Sequence, residues 1–558
     1  MSETILIFFQ WFISFAIVWI PYLTFYGVFS RHQPQWVAAI LSLFGVSLFS
    51  LIVFFFIWIT CSINQNIVLE NIPLAILLSM FVYSFKQWQQ VKNQIQTALT
   101  GFLIGVISLS VAFMRVPSAT DLDAQHALSI RYWVSIDNKI SGFLARGILK
   151  QMTMEPYLFS DWKGSDRPPL ASGWLSISKV LLDSKYGETT LLIAVATLLV
   201  PAIYIMLNIF EIHQKYWMPV VLVLFSTPFA FTNTVYTWPK ILAGLLFLLA
   251  ISIFWVNGIP GKYWLIGATT CLAFLSHGST AFMLPGLIYL VVRNRATVKE
   301  CSKMLIAALL CYAPWFYYQR YWDRSSNRLI YWHIAGQPSG SLGMGVVETT
   351  FYNYSRLSSS EILQNKLDNF LNLFLMKDRN PAIAGLRGFP GLINAWASET
   401  IVGSLWPLIV CAIFCVVFTR KKLVEIPRGF FMSISIGLFT FLLLEFGHRP
   451  DSIASAHIAP LSIVIFIGVV LAGYVITTIN SVDRSGWITT LIVFLFLLMN
   501  YANYGLLSGV NAAEGGSGGP LSYPLAFLWL VSSLILTGFT KKGFVENEYI
   551  KNSDNRVV

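Results

Sequence analysis

The sequence predicts an all-helical membrane protein that crosses the bilayer many times. Of its 558 residues, 56% are hydrophobic and only 11% are charged, whereas soluble domains contain about 25% charged residues. Apolar runs of roughly 18 or more residues recur along the chain, and a helix of that length spans the hydrocarbon core. We therefore expect a bundle of about 13–15 transmembrane helices, with two long loops on its outer face that contain amphipathic juxtamembrane helices.

The candidate spans follow one another with two long interruptions. Hydropathy and flanking polar residues place them at 5–29, 37–60, 70–86, 99–116, 189–210, 217–235, 240–257, 263–276, 279–293, 304–321, 401–419, 429–446, 453–478, 486–505 and 521–539. The stretch 263–293 has two interpretations, one long tilted helix or two short ones. A histidine in the middle of the bilayer is costly and Gly278 permits a break, so we predict an interruption at His277.

Basic loops set the predicted orientation, because arginine and lysine in short loops mark the cytoplasmic side. Such clusters occur at 293–303, 420–428 and 541–542. The opposite side then receives the two long loops and three short segments, namely 117–188, 322–400, 236–240, 447–452 and the break at His277. Only an interrupted helix at 263–293 keeps all basic loops on one side, which supports the break independently.

The same pattern divides the chain into parts along its length. We predict three extra N-terminal spans in 1–98, a central bundle in 99–321, the second outer loop in 322–400, C-terminal helices in 401–540 and a cytoplasmic tail in 541–558. Two outer-loop stretches, 130–148 and 362–374, have apolar residues at helical spacing. Each either lies along the membrane surface or packs on the bundle, and the sequence favours neither.

Several function classes are excluded by what the chain lacks in sequence. The net charge of +11 forms no basic stripe on a folded domain, so we expect no nucleic-acid partner. The six cysteines lie in or beside apolar runs, which favours packing over disulfides or metal ligands. No Gly-rich phosphate loop, HExxH or GxSxG motif occurs. A nucleotide-sugar enzyme needs a soluble nucleotide-binding domain, and none fits between these spans.

Polar residues that suit chemistry gather on the predicted outer side. They are Asp121, Asp123, Arg167, Lys240, His277, His448 and Arg449. Singly, each has a plain structural interpretation, such as helix capping by the acids or snorkelling by an arginine. Lys240, however, lies on the side where lysine is disfavoured. Carboxylates serve as general bases and cations bind phosphate leaving groups, so together these residues suit transfer from a lipid phosphate.

The motifs around these residues resemble those of the GT-C superfamily of membrane glycosyltransferases, especially the branch of lipid A aminoarabinose transferase and protein O-mannosyltransferases. The matching segments are Asp121-Leu122-Asp123, Asp166-Arg167-Pro168-Pro169-Leu170, Leu275-Ser276-His277-Gly278, Ala313-Pro314-Trp315 and Arg449 through Leu461. The resemblance covers about 99–475 of the chain. His277 stands where that family usually has lysine, and Trp238-Pro239-Lys240 stands where relatives often have an Asp-Pro.

The resemblance implies roles for the site residues. Asp121 is implied as the general base, with Asp123 as second choice. The donor phosphate is implied to bind the remaining residues, which are Arg167, Lys240 and Arg449, then His277 and His448. No metal ligand set is predicted, although an acidic pair is able to hold a divalent cation.

The resemblance also implies the partners and the location. The donor is a polyprenyl-phosphate-linked sugar, the acceptor an envelope glycan, lipid or protein, and the site faces the periplasm or exterior of a bacterial plasma membrane. Two alternatives stay open. One is a polysaccharide polymerase or ligase that uses diphosphate-linked glycans; the other is a transporter or flippase for a lipid-linked glycan. Transporters place charges at mid-membrane, often in repeated halves, whereas these charges gather on one face.

Overall fold

The predicted all-helical class is confirmed by a computed structural model of the chain. It describes residues 3–63, 72–113, 140–152, 163–182, 186–212, 216–235, 239–337, 343–374, 401–419, 427–447, 458–482, 486–501 and 525–539. Within these ranges, every regular element is a helix.

The helices are numbered in chain order. The N-terminal third contains α1 (Glu3–Phe29), α2 (Gln35–Ile63), α3 (Ile72–Lys86), α4 (Trp88–Phe113), α5 (Ile140–Lys150), α6 (Pro169–Leu182), α7 (Gly187–Ala196) and α8 (Leu199–Ile209). The middle contains α9 (Trp217–Phe225), α10 (Pro228–Val235), α11 (Lys240–Ser252), α12 (Lys262–Ser276), α13 (Leu284–Arg293), α14 (Val298–Tyr321), α15 (Arg328–His333), α16 (Val346–Ser355) and α17 (Ser359–Phe374). The C-terminal part contains α18 (Ile401–Thr419), α19 (Arg428–Leu444), α20 (Ile458–Val482), α21 (Trp487–Asn500) and α22 (Leu525–Phe539).

By length and composition, the chain is a multi-pass membrane protein. Five helical segments in the described ranges are long and apolar enough to cross a bilayer: Thr4–Phe29, Gln35–Ser62, Gln94–Phe113, Gly187–Ile209 and Leu461–Val482. A bent pair, α9 with α10, adds a sixth candidate, and further apolar helices have 10–17 residues. Neither α12 nor α14 is among these helices, although the sequence predicts spans over 263–276 and 304–321. α14 has Glu300 in its first turn, Arg320 in its last turn and Pro314 inside the helix.

Two predicted regions differ in how their helices are interrupted. The break at His277 is confirmed: α12 ends at Ser276, a 3₁₀ helix follows over Gly278–Met283, and α13 then begins. The predicted span 217–235, in contrast, is not one continuous helix. The axes of α9 and α10 differ by 75°, and Pro228 starts the second of them. Proline lacks the N–H that would continue the ladder, which explains the bend.

The first two helices belong to the same core as the rest of the bundle. The indole Nε1 of Trp19 in α1 donates to Thr197 Oγ1 at 2.9 Å. In α2, Ser50 Oγ donates to the backbone oxygen of Leu170 at 2.6 Å. A Cβ at Gly173 would lie 2.1 Å from the backbone oxygen of Ser50, so this approach of α2 to α6 requires glycine. The N-terminal helices therefore help to position α6, which follows directly after Arg167.

The two amphipathic outer-loop stretches take different positions. In α5, Leu144 and Ile148 are 2% and 0% exposed, so this helix packs on the bundle. In α17, Leu363, Leu367 and Phe370 are 70%, 47% and 49% exposed. The part of the first stretch from 140 to 148 therefore follows the packing interpretation, and 130–139 lie outside the described residues. The second stretch presents an apolar face away from the bundle, as interfacial helices do.

Candidate functional site

Three of the predicted site residues line one cavity of about 400 Å³. These are Arg167, Lys240 and His277. They come from three separate parts of the chain: the start of α6, the start of α11 and the break after α12. The structure brings these three together, and convergence of the whole predicted set stays a prediction. Four predicted site residues lie outside the described residues, namely Asp121, Asp123, His448 and Arg449.

Arg167 and His277 form a buried pair inside this cavity. Both side chains are almost inaccessible, and Arg167 Nη1 lies 3.1 Å from His277 Nε2. A guanidinium only donates hydrogen bonds, so Nε2 accepts. On the other side of the ring, Ser279 Oγ lies 2.8 Å from Nδ1 and the backbone N–H of Ser279 is directed at the same nitrogen at 3.3 Å. Burial, followed by the positive charges of Arg167 and Lys240, lowers the pKa of His277 well below its ordinary value. His277 is therefore a neutral ring that orients the guanidinium.

Lys240 adds a second buried cation at the start of a helix. It is the first residue of α11 and is only 3% exposed. A helix N-terminus carries partial positive charge, so a lysine there is unfavourable unless an anion is nearby. Ser276 Oγ donates to the backbone oxygen of Pro239 at 3.0 Å, which joins the end of α12 to the start of α11. The start of α11 and the break at His277, which the sequence predicts for the same side of the membrane, thus meet at this point.

Asp166 holds the segment of Arg167 against the start of the second outer loop. Its carboxylate accepts from Ser325 Oγ at 2.6 Å, from the backbone N–H of Asn327 at 3.0 Å, and from the hydroxyl of Ser326. It also accepts from the backbone N–H of Lys163 at 2.9 Å. Four donors fix one carboxylate, which places the residue after it, Arg167, in the cavity wall.

A second carboxylate, that of Asp323 after α14, also contacts the segment 163–167. Asp323 accepts from the backbone N–H of Ser165 at 2.9 Å, and Gln319 Nε2 donates to the backbone oxygen of Ser165 at 3.0 Å. Burial raises the pKa of Asp323 above its ordinary value. The end of α14 and the segment 163–167 therefore behave as one unit.

The rest of the cavity wall combines one further cation with aromatic and aliphatic side chains. Arg328, the first residue of α15, lines it, and burial lowers the pKa of its guanidinium from the usual value. The apolar lining includes Phe274, Phe282, Trp315, Ile330, Trp332 and Leu444. The described residues that line the cavity include three cations and one acid. The cations are Arg167, Lys240 and Arg328, and the acid is Asp166. The cavity is therefore cationic at its polar groups and apolar elsewhere.

The sequence analysis missed a histidine at this cavity and its partner. His333 lines the wall, and its Nδ1 lies 2.9 Å from Oε1 of Glu445, whose side chain is fully buried. Glu445 directly follows α19 and lies at the end of the predicted span 429–446, but nothing local distinguishes His333 within the segment Tyr331-Trp332-His333. The signal in the sequence was an acidic residue at the end of a predicted span, because an acid buried there requires a partner.

This arrangement suits an anion that carries an apolar group. Guanidinium and ammonium groups bind phosphate through charge-assisted hydrogen bonds, and aromatic walls accept a hydrocarbon chain. Within the described ranges, no group of three or more His, Cys, Asp or Glu residues is arranged to hold a metal ion. The chain has no match among the protein families, curated proteins and solved structures with which it was compared.

Proposed function

We propose that this protein transfers a sugar from a polyprenyl-phosphate-linked donor to an envelope glycan, lipid or protein at the outer face of a bacterial plasma membrane. One observation supports the proposal most: Arg167, Lys240 and Arg328 line the same cavity as a set of aromatic side chains. A lipid phosphate is the ligand class whose charge and tail match both parts. The motif resemblance to GT-C glycosyltransferases points to the same chemistry.

The gathering of cations in one cavity wall is the physical reason to expect an anionic ligand. Arg167, Lys240 and Arg328 line the cavity, and Asp166 is the single acid among its described lining residues. A cleft lined mainly by one sign of charge attracts the opposite sign. A phosphate bound there would accept charge-assisted hydrogen bonds from these cations.

In the proposed reaction, the cations stabilise the phosphate as it leaves the anomeric carbon. Arg167 binds the phosphate through the N–H donors of its guanidinium, and Lys240 adds a compact positive charge. Arg328 contributes a third cation from the second outer loop. The resemblance implies Asp121 or Asp123 as the base that activates the acceptor, and inversion at the anomeric carbon. A divalent cation at the acidic pair is an optional addition.

The two alternatives predict different products. A polymerase or ligase that uses diphosphate-linked glycans would release a lipid diphosphate, whereas the proposed reaction releases a lipid monophosphate. A flippase would move a fluorescent lipid-linked glycan between leaflets without forming a new glycosidic bond. The identity of the released lipid therefore separates the enzyme classes, and protection of the fluorescent lipid in liposomes tests the transporter.

The direct test compares Arg167→Gln with wild type in binding of a synthetic polyprenyl phosphate. Hydrogen bonds to charged groups contribute about 1.5–3 kcal/mol, so we expect Kd to rise roughly 10- to 150-fold. Transfer from a radiolabelled lipid-phosphate sugar should fall at least as much. Arg324→Gln is the matched control, because Arg324 is exposed and is not among the residues that line the cavity.

Thermal unfolding of both variants shows whether Arg167→Gln still folds. If it does not, Arg328→Gln tests the same site from α15, whose side chain is only partly buried. If folded Arg167→Gln and Arg328→Gln both bind the polyprenyl phosphate with the Kd of wild type, the proposed phosphate site is contradicted.

A further inference from the structure

We propose that Trp332 is the aromatic surface on which the ring of the donor sugar stacks. This inference rests on the proposed function, and it adds how the site recognises the sugar as distinct from the phosphate and the lipid tail. The observation that carries it is the place of the indole: Trp332 lines the cavity, and the guanidinium carbon of Arg328 lies 5.9 Å from the centre of its ring.

The short helix α15 brings this ring and this cation together. Arg328 and Trp332 are four residues apart in α15, which makes them neighbours on the helix surface. A guanidinium within about 6 Å of an aromatic centroid is attracted by the face of the ring. Its N–H donors point along its edge, so stacking on a ring is compatible with binding a phosphate. A phosphate bound by Arg328 therefore lies close to the Trp332 ring.

The structure of the donor limits what else lies there. In a polyprenyl-phosphate sugar, one phosphate oxygen is bonded to the anomeric carbon and another to the lipid tail. The sugar ring and the tail therefore leave the phosphate in two directions. With the phosphate at Arg328, the Trp332 ring contacts one of these two groups, and the surroundings of the aromatic residues in the cavity wall distinguish them.

Two other rings in the wall have surroundings that suit the tail. Phe274 packs against Tyr312 of α14, with ring centres 5.9 Å apart, and Phe282 packs against Phe441 of α19 at 5.4 Å. Phe274, Phe282 and Tyr312 line the cavity. Aromatic rings that pack on one another form an apolar wall, which accepts a hydrocarbon chain.

The Trp332 ring lies among polar groups instead. Besides the guanidinium of Arg328, the His333 ring lies beside it, with ring centres 6.2 Å apart and planes at 17°. A pyranose ring has C–H groups on its faces and hydroxyls around its edge, so it suits a flat aromatic surface bordered by hydrogen-bonding groups. An indole offers the largest such surface among the side chains. The surroundings of Trp332 therefore match the sugar better than the tail.

Contacts at both ends of α15 fix the position of this ring. At the start, the backbone N–H of Asn327 donates to the Asp166 carboxylate at 3.0 Å. At the end, the backbone N–H of Phe446 donates to the carbonyl oxygen of His333 at 2.7 Å. A surface that is already in place loses little conformational freedom when a ligand binds, which favours affinity. Trp332 is thus a pre-formed platform beside the expected phosphate.

The test measures binding to the purified full-length chain in lipid nanodiscs, without an acceptor. One probe is a polyprenyl phosphate that carries β-glucose, and the other is the same lipid phosphate without a sugar. β-Glucose has C–H groups on both ring faces, so it reports stacking whichever hexose is the natural one. We expect Trp332→Leu to raise Kd for the glucosyl lipid about 10-fold, the size of an aromatic contact. Its Kd for the bare lipid phosphate should stay at the wild-type value.

Two further variants and one mapping experiment keep the test decisive. Trp332→Phe retains an aromatic face and should recover most of the lost affinity. Trp264→Leu removes a tryptophan that is 40% exposed on α12 and outside the cavity lining, so it is the matched control. Thermal unfolding shows whether each variant folds. If Trp332→Leu does not, a glucosyl lipid with a photoreactive group on the sugar decides on wild type, because it should label α15.

The two probes separate failure of the inference from failure of the proposed function. If Trp332→Leu weakens both lipids equally, or neither, or if the photoreactive sugar does not label α15, Trp332 does not recognise the sugar. The inference is then wrong, while the phosphate site stands. If wild type binds neither lipid, the proposed function itself fails, and the inference fails with it.

Discussion

The helices α5 and α17 share an amphipathic pattern but attach to the bundle in different ways. α5 docks through its apolar side, with Leu144 and Ile148 in the core. α17 buries Leu373 but also docks through polar side chains: Asn369 donates to two backbone oxygens at the end of α19, and Lys366 donates to one of them. The comparison shows that an apolar stripe indicates a helix without indicating which side of it faces the protein.

The difference follows from what each helix meets. α5 packs against α6. Gly142 of α5 lies so close to the Glu188 carboxylate that a Cβ on this glycine would be 2.5 Å from Oε1 of Glu188. That carboxylate binds Lys179 of α6 at 2.7 Å and Arg146 of α5 at 3.6 Å. α17 meets the turn after α19, where Gly447 has a φ of +77° and lies against Asn369. Apolar packing and an ion pair therefore hold α5, whereas α17 adds hydrogen bonds to the buried backbone oxygens at the end of α19.

The sharpest test of this comparison pairs Leu144→Ala with Leu363→Ala. Leu144 is buried, so its truncation leaves a cavity, and we expect a loss of about 2–5 kcal/mol in unfolding free energy. Leu363 is 70% exposed, so its truncation should change stability by no more than about 0.5 kcal/mol. Denaturant unfolding in detergent micelles measures both. Equal losses would show that the outer face of α17 is packed as tightly as α5.

A smaller effect is expected when the polar attachment of α17 is removed. Asn369→Ala leaves the backbone oxygens of Leu442 and Glu445 without the amide donor, which should cost about 1–3 kcal/mol. Gln364→Ala, on the exposed side of the same helix, is the control. If both variants unfold alike, hydrogen bonds from Asn369 do not hold α17 in place.

The smallest effect is a change in the pH dependence of stability. Burial lowers the pKa of Lys366 from 10.5 to about 8, and attraction to Glu445 partly opposes that shift. Between these values the unfolded chain binds more protons than the folded one, so stability should rise with pH through this window. Below it, both states are protonated and the penalty is constant.

Lys366→Met should flatten that rise, and thermal unfolding at a series of pH values measures it. Lys150→Met, at the exposed end of α5, controls for the loss of one positive charge. An unchanged slope in Lys366→Met would mean that this lysine does not titrate in the window.

Part of the site could be predicted from the sequence because it depends on topology. The basic loops predicted Arg167, Lys240 and His277 on the same side of the membrane, and the structure brings these three residues to one cavity. Lys240 gave the strongest single indication of a site, because the orientation rule disfavours a lysine on that side unless the residue has a functional role. The helical class followed directly from the length of the apolar runs.

The remaining features depend on contacts between distant parts of the chain. His333 and Glu445 are separated by more than a hundred residues, and no period or local motif connects them. The bend between α9 and α10 had a visible cause in Pro228, but hydropathy alone treats 217–235 as one run. The choice between burial and exposure for α5 and α17 requires knowledge of the surface that each meets.

The Asp166 carboxylate has a consequence for how the protein is made. Membrane helices are inserted as the ribosome delivers them, so Asp166 is in place long before its hydroxyl donors Ser325 and Ser326 exist. Until they arrive, the segment that carries Arg167 has no fixed place against the second outer loop. A nascent chain that stops before Ser325 would therefore lack three of the four donors to Asp166, and the cavity wall around Arg167 would stay incomplete.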